Sequence, residues 1–226
     1  ELASTAVYIY NYDSDWGGDV DFRSPRMYTR GTTYNGTAHI EKTGGIGDDA
    51  GAGGNTFVGN LTLANSGSRY IMTGNGTFDS FQANVNLINT GSSNIYIAHN
   101  GAGHSISGNL TSTNSGIGAS RIYIANANAA TLTINGSATL TNNGNGSALY
   151  TYFGGDGDIT LTGTLTINNS GTGATSEMRV ADNTNSTVTL NNIATFINNN
   201  TATTTSRLYI GRQGDIIFNG DLILSP

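Results

Sequence analysis

Six times along this chain an asparagine is followed by two small or polar residues: Asn65-Ser66-Gly67, Asn89-Thr90-Gly91, Asn114-Ser115-Gly116, Asn142-Asn143-Gly144, Asn169-Ser170-Gly171 and Asn198-Asn199-Asn200. The pattern recurs about every 27 residues, the period of a stacked repeat rather than of an ordinary globular domain. A few residues after each asparagine comes a serine (Ser68, Ser93, Ser120, Ser147, Ser176, Ser206) and then a short apolar run. A unit of this size cannot bury a core alone. Its apolar residues leave water only by stacking on the next unit.

Within each repeat apolar and polar residues alternate over short runs, the period-2 signature of half-buried strands, and nothing reads as a helix. Three runs recur. An A strand carries Leu132/Ile134, Ile159/Leu161, Val188/Leu190 and Ile216/Phe218; a B strand carries Ala138/Leu140, Leu165/Ile167, Ala194/Phe196 and Leu222/Leu224. A C strand carries Ile95/Ile97, Ile122/Ile124, Leu149/Thr151, Met178/Val180 and Leu208/Ile210. The A-to-B offset is constant, while the B-to-C connection varies in length as a surface loop can. Its asparagine and glycine suit an exit through a left-handed or tight turn. The expectation is an all-β parallel β-helix (β-solenoid), right-handed and three-sided, with about 27 residues per coil. Residues 55–226 form the regular repeats. Residues 1–54 read as irregular N-terminal coils or a cap, with an acidic loop and a long flexible Gly-rich loop over 43–54. Met27-Tyr28-Thr29 resembles a C strand, and Val20 and Phe22 an A or B strand.

Composition narrows the function. Net charge is -6 with only 9 Lys and Arg, so no basic stripe is available for nucleic acid. There is no cysteine, hence no disulfide and no thiol chemistry. No apolar run is long enough for a membrane-spanning helix.

Two sets of residues stand out. Along the outward middle of the C strand, Ile71, Tyr96, Tyr123, Tyr150, Arg179 and Tyr209 read as one column, beside Arg69, Asn94, Arg121, Ala148, Glu177 and Arg207. Tyr96, Tyr123, Tyr150, Tyr209, Arg121 and Arg207 are the candidate binding face, because Tyr and Arg are enriched where proteins meet partners and sugars stack on aromatics. The plainer reading is that tyrosine favours strands and stacks on itself between rungs. The second set is Asp13, Asp15, Asp19 and Asp21, carboxylates at alternating positions around Gly17-Gly18. Such oxygens are what Ca2+ uses, although the run lacks the closing glutamate of an EF-hand, and a solvated acidic loop is the plainer reading. No other cofactor is expected. His99 and His104 read as solvent-facing turn residues, and Asp79 as a turn residue; no carboxylates pair as glycoside hydrolysis would need, so the chain is expected not to be an enzyme.

Repeats such as Thr131-Leu132-Thr133-Ile134-Asn135-Gly136-Ser137-Ala138-Thr139-Leu140-Thr141-Asn142-Asn143-Gly144 resemble those of large bacterial surface proteins, the autotransporter passenger domains and filamentous-haemagglutinin-like adhesins. The resemblance covers about residues 55–226. It implies an extracellular or cell-surface location, a shaft role, and adhesion or fibre assembly. Self-association or continuation of a longer chain is the expected partnership, with glycans as a further partner class. No site residue is carried over, because these families share no site motif.

Overall fold

The computed structural model describes residues 2–3, 8–201 and 205–225. The chain winds into parallel stacked coils of about 27 residues, a parallel β-helix, with no helix among the described residues. Three long sheets run the length of the stack. The B strands make a ten-stranded sheet from Leu2–Ala3 to Leu222–Ser225. The A strands make a nine-stranded sheet from Asp15–Trp16 to Asp215–Phe218. The C strands make a seven-stranded sheet from Asp49–Ala50 to Thr205–Ile210, with Tyr8–Tyr12 and Arg26–Arg30 paired as a separate two-stranded sheet. Each strand sits beside its equivalent one coil away, about 4.8 Å distant as in any sheet.

The alternation dictates this arrangement. Inward residues stack in columns of like on like: Phe57, Phe81, Ile106, Ile134, Leu161 and Leu190 on the A sheet, and Leu140, Ile167 and Phe196 on the B sheet. All are buried in one continuous core. Each such side chain contributes about 1.5–3 kcal/mol by leaving water, and none does so without the coil above and below it. Polar side chains also stand at some inward positions, and Ser112 is one whose hydroxyl has no hydrogen-bond partner. It stands fully buried between Leu87 and Leu140 on the B sheet.

The three corners are built differently. At the A-to-B corner Gly136 and Gly163 stack, each so close to the coil below that a Cβ would stand 2.4 and 2.5 Å from a carbonyl oxygen. At the C-to-A corner the backbone turns through the left-handed region: Gly74, Ala98, Ala125, Gly154, Ala181 and Gly211 have φ between 49° and 73°. The B-to-C corner corrects the sequence reading. The repeating asparagines are not left-handed. The first five, Asn65 to Asn169, are each the buried last residue of a B strand, and each donates from Nδ2 to carbonyls on or just before the C strands; Asn198 lies one residue past its strand and accepts from Asn169 Nδ2 and Ser206 Oγ instead. Asn65 reaches Arg69 O and Asn94 O at 3.1 and 3.0 Å, Asn89 reaches Ser93 O and Arg121 O at 2.7 and 3.1 Å, and Asn114 reaches Ser120 O and Tyr150 O at 3.2 and 3.1 Å. The marker of the repeat is thus an internal ladder that stitches the C strand of its own coil to that of the coil above.

Strands from residues 20–54 join the same sheets, with shorter coils. Val20 aligns with Ala38, and Ala38 with Leu61. Val20 and Phe22 belong to a B strand, and Met27-Tyr28-Thr29 to the two-stranded sheet on the C side. The stretch 43–54 is not a free loop. It contains the first strand of the C sheet, and Asp49 is wholly buried. Lys42 occupies the ladder position aligned with Asn65. Its ammonium donates to Pro25 O at 2.8 Å, to Ile46 O at 3.2 Å and to the Asp49 carboxylate. Asp49 in turn accepts from Arg26 Nε at 3.0 Å and the Met27 N–H at 2.8 Å. A buried pair survives only with such extra partners.

A second buried polar chain crosses these coils. Asn11 Nδ2 donates to Tyr34 Oη (2.8 Å), Tyr34 Oη and Thr29 Oγ1 are 2.7 Å apart, and Thr29 Oγ1 donates to Asn55 Oδ1 (3.0 Å). Asn55 Nδ2 then donates to Asp79 Oδ1 (2.9 Å), while Thr73 Oγ1 donates to Asp79 Oδ2 (2.5 Å). Asp79 is therefore an interior carboxylate and not a turn residue at the surface. His104 is interior too, aligned with Leu132; its Nδ1 accepts the Asp79 N–H at 3.0 Å and its Nε2 lies 3.2 Å from Asn100 O.

Candidate contact face

The C side of the coil gathers almost all of the chain's aromatic and cationic surface. Ten of the eleven tyrosines and seven of the nine basic residues lie on its strands or their ends, leaving Thr, Ser and Asn to the A and B faces. The column of phenols is Tyr96, Tyr123 and Tyr152, followed by Arg179 and Tyr209. Below Tyr96 stands Met72; Ile71 points inward beside Ile95. Tyr150 belongs to the neighbouring column, between Arg121 and Glu177, and Arg207 follows Glu177 there. The column expected from sequence is thus one residue out at Ile71 and two residues out at Tyr150, where Thr151 and Phe153 are the residues that stack on Ile122 and Ile124. A shift of two leaves Tyr150 on the outward face in a different column, whereas the shift of one at Ile71 turns that side chain to the core.

The rings are occupied by one another. Tyr96 and Tyr123 stack with centroids 4.6 Å apart and planes 5° apart, Tyr123 and Tyr152 at 4.5 Å and 17°. Tyr70 and His99 meet Tyr96 edge-on at 5.4 and 5.1 Å. Arg179 lies over the rings of Tyr150, Tyr152 and Tyr209 at 5.2–5.4 Å, and Arg121 over Tyr150 at 5.2 Å. Stacked pairs of this kind contribute about 0.5–1.5 kcal/mol each beyond their burial. Flat stacking of a sugar on a phenol therefore has no open face within the column; what the column offers outward is ring edges and hydroxyls. Burial raises the Tyr96 and Tyr152 phenols above their ordinary range, so they stay protonated.

Charge on this face is mostly neutralised from within. Arg179 pairs with Glu177 at 2.5 Å and Asp182 at 3.3 Å, Arg207 with Glu177, Arg212 with Asp182, Arg69 with Asp48, Arg26 with Asp49 and Arg30 with Asp13. Arg121 is different. It has no carboxylate within ion-pair distance among the described residues, its Nη1 donates to Tyr123 Oη at 3.2 Å, and its Nε is buried without a partner.

The four N-terminal aspartates do not converge. Asp13 follows the first C-side strand and pairs with Arg30 at 3.3 Å. Asp15 accepts from Asn35 Nδ2 at 2.6 Å. Asp19 accepts the Thr37 N–H at 2.7 Å, and contacts with Thr37 hold its carboxyl below the usual range. Asp21 is bound by Arg23 at 2.8 Å, which lowers it likewise. Among the described residues no three His, Cys, Asp or Glu are grouped to hold a metal ion. A shallow cleft on the B face is lined by Asp19, Asp21, His39, Asn60 and Thr62, and both of its carboxylates are engaged as stated. No described helix is long and apolar enough to cross a membrane.

Comparison with protein families, with curated proteins and with solved structures returns no match for this chain.

Proposed function

We propose that this chain is an extracellular structural and adhesive shaft, with the C side as its contact face. The observation that carries the reading is the concentration of tyrosine and arginine on one side of a rod whose other two faces carry mostly threonine, serine and asparagine beside a few charges. A core shared by every coil makes the rod stiff along its axis, and the stacked phenols hold the C face in a fixed array. Such a surface suits repeated contact with a partner at low conformational cost. The extracellular, bacterial setting rests on the resemblance of the repeats alone.

Negative-stain microscopy of the purified chain tests this. Rods or fibres about one coil-stack wide are expected, lengthening with protein concentration. Compact, concentration-independent particles would overturn the shaft reading.

A further inference from the structure

Arg121 is the feature of the contact face that the ladder does not explain. Every other C-side arginine has its carboxylate, in a chain that is acidic overall. Around Arg121 the neighbours are uncharged: Asn94 in its own column one coil below, Tyr150 one coil above, and Tyr123 two residues along. A guanidinium held between phenols and left without a counter-ion is an anion-reading group. Its Nε is buried and its Nη1 is engaged, so the Nη end is what faces out, and that end matches a planar carboxylate.

The phenols add a repeating set of donors. Asn94 Nδ2 donates to Tyr96 Oη at 3.0 Å, Arg121 Nη1 to Tyr123 Oη, and Arg207 Nη1 to Tyr209 Oη at 3.1 Å. Each of these hydroxyls accepts from its own strand and so keeps its proton to give away. The result is a line of O–H donors at strand spacing, with one unneutralised cation beside it. A ligand that meets this line needs acceptors repeated along a chain. A polysaccharide offers that; a protein loop that seeks aromatic faces finds them covered.

Resting on the reading of the C side as the contact face, we propose that Arg121, with the hydroxyls of Tyr96, Tyr123 and Tyr152, forms a binding site for a carboxylate-bearing linear glycan lying along the rod axis. Arg121 takes a uronate carboxylate and the phenols hydrogen-bond the sugar oxygens.

The test is titration of the purified chain with a galacturonic-acid hexamer by calorimetry, beside a neutral glucose hexamer and acetate. The galacturonate oligomer is expected to bind, the neutral oligomer at least about tenfold more weakly, and acetate weaker than either, since one charge-assisted contact is about 1.5–3 kcal/mol. Arg121→Gln should weaken galacturonate binding about tenfold or more, and Arg121→Lys by less. Arg69→Gln removes the same charge from the same face but from a paired arginine, and should leave affinity within about twofold, a change under half a kcal/mol. No binding of the galacturonate hexamer, equal losses for Arg121→Gln and Arg69→Gln, or equal affinity for acetate would overturn the proposal. Rods that persist under the microscope while the hexamer fails to bind would sink this site and leave the shaft reading standing.

Discussion

The Lys42–Asp49 pair is the most exposed point of the stability argument, because neither side chain touches solvent. Replace Lys42 by Met. The Asp49 carboxylate keeps Arg26 and the Met27 N–H, which offsets part of the loss, so the low end of the usual range for orphaning a buried charge applies, about 3 kcal/mol. Pro25 O and Ile46 O also lose their donor, adding up to about 1 kcal/mol each. The single variant should therefore cost about 3–5 kcal/mol. Asp49→Asn leaves a buried ammonium with two carbonyls and should cost about 3 kcal/mol, while the amide oxygen still accepts the Met27 N–H. In the double variant neither charge remains. Its cost should fall short of the sum of the two by about 1–3 kcal/mol. Urea unfolding of all four proteins measures this, with hydrogen exchange at Met27 and Asp49 reporting the local coils in case the solenoid unfolds in parts. Strict additivity, or a Lys42→Met cost below about 1 kcal/mol, would mean that the pair is not the buried, mutually compensating unit described above.

Three further outcomes follow from the interior. Burial pushes the Asp79 carboxyl up to about 6, above its unfolded value, so the folded state holds the proton more tightly: the group is harmless below about pH 4 and costs roughly 3 kcal/mol above pH 6. The stability of Asp79→Asn relative to the unmodified chain should therefore rise by about that amount between pH 4 and pH 7; the comparison subtracts the opposite trend of His104, whose burial lowers its affinity for a proton, and a pH-independent difference would refute the assignment. Ser112→Ala removes an unpartnered hydroxyl from between two leucines and should stabilise by about 1 kcal/mol, a rise in melting temperature of about 2–4 °C for a chain of this length; a lower melting temperature would show that the hydroxyl has a partner. Ala125 is buried with φ of 52°, so Ala125→Val should cost at least about 2 kcal/mol by forcing a β-branched residue into the left-handed region, while Ala125→Gly should be close to neutral in the same thermal melts.

Much of this architecture is legible from residue order. Alternation places the A and B strands and their inward residues, because a side chain facing the core is apolar in most coils. Register was harder where two alignments satisfy that demand equally. In Leu149-Tyr150-Thr151-Tyr152-Phe153 a two-residue slide exchanges one tyrosine for another and keeps both faces intact, so only ring stacking on Tyr123 and the packing of Phe153 beside Ile124 decide it. Asparagine misled for a different reason. Its commonest use is at turns, and nothing local signals that its amide is turned inward toward carbonyls of two coils. The coils before residue 61 escaped the repeat because their length differs, and the partnerships of Lys42 with Asp49 and of Asp79 with Asn55 join residues whose proximity only winding creates. Tyr152, which stacks on Tyr123 in the phenol column, escapes the sequence reading for the same reason that Tyr150 falls in the wrong column.

The asparagine ladder gives the rod a direction. Asn114 finds one carbonyl in its own coil and the second only when Tyr150 has been laid down above it; Asn89 likewise waits for Arg121. A winding therefore finishes the bonding of its predecessor. Loss of a coil at the carboxyl end strands one amide hydrogen in the coil that remains, whereas loss at the amino end strands a carbonyl, which tolerates solitude better because it has a second lone pair and water within reach. Under tension along the axis the coils from Asn65 to Asn169 should not peel alike from their two sides: the amino-terminal side of that ladder yields first, as a zip with a preferred pull.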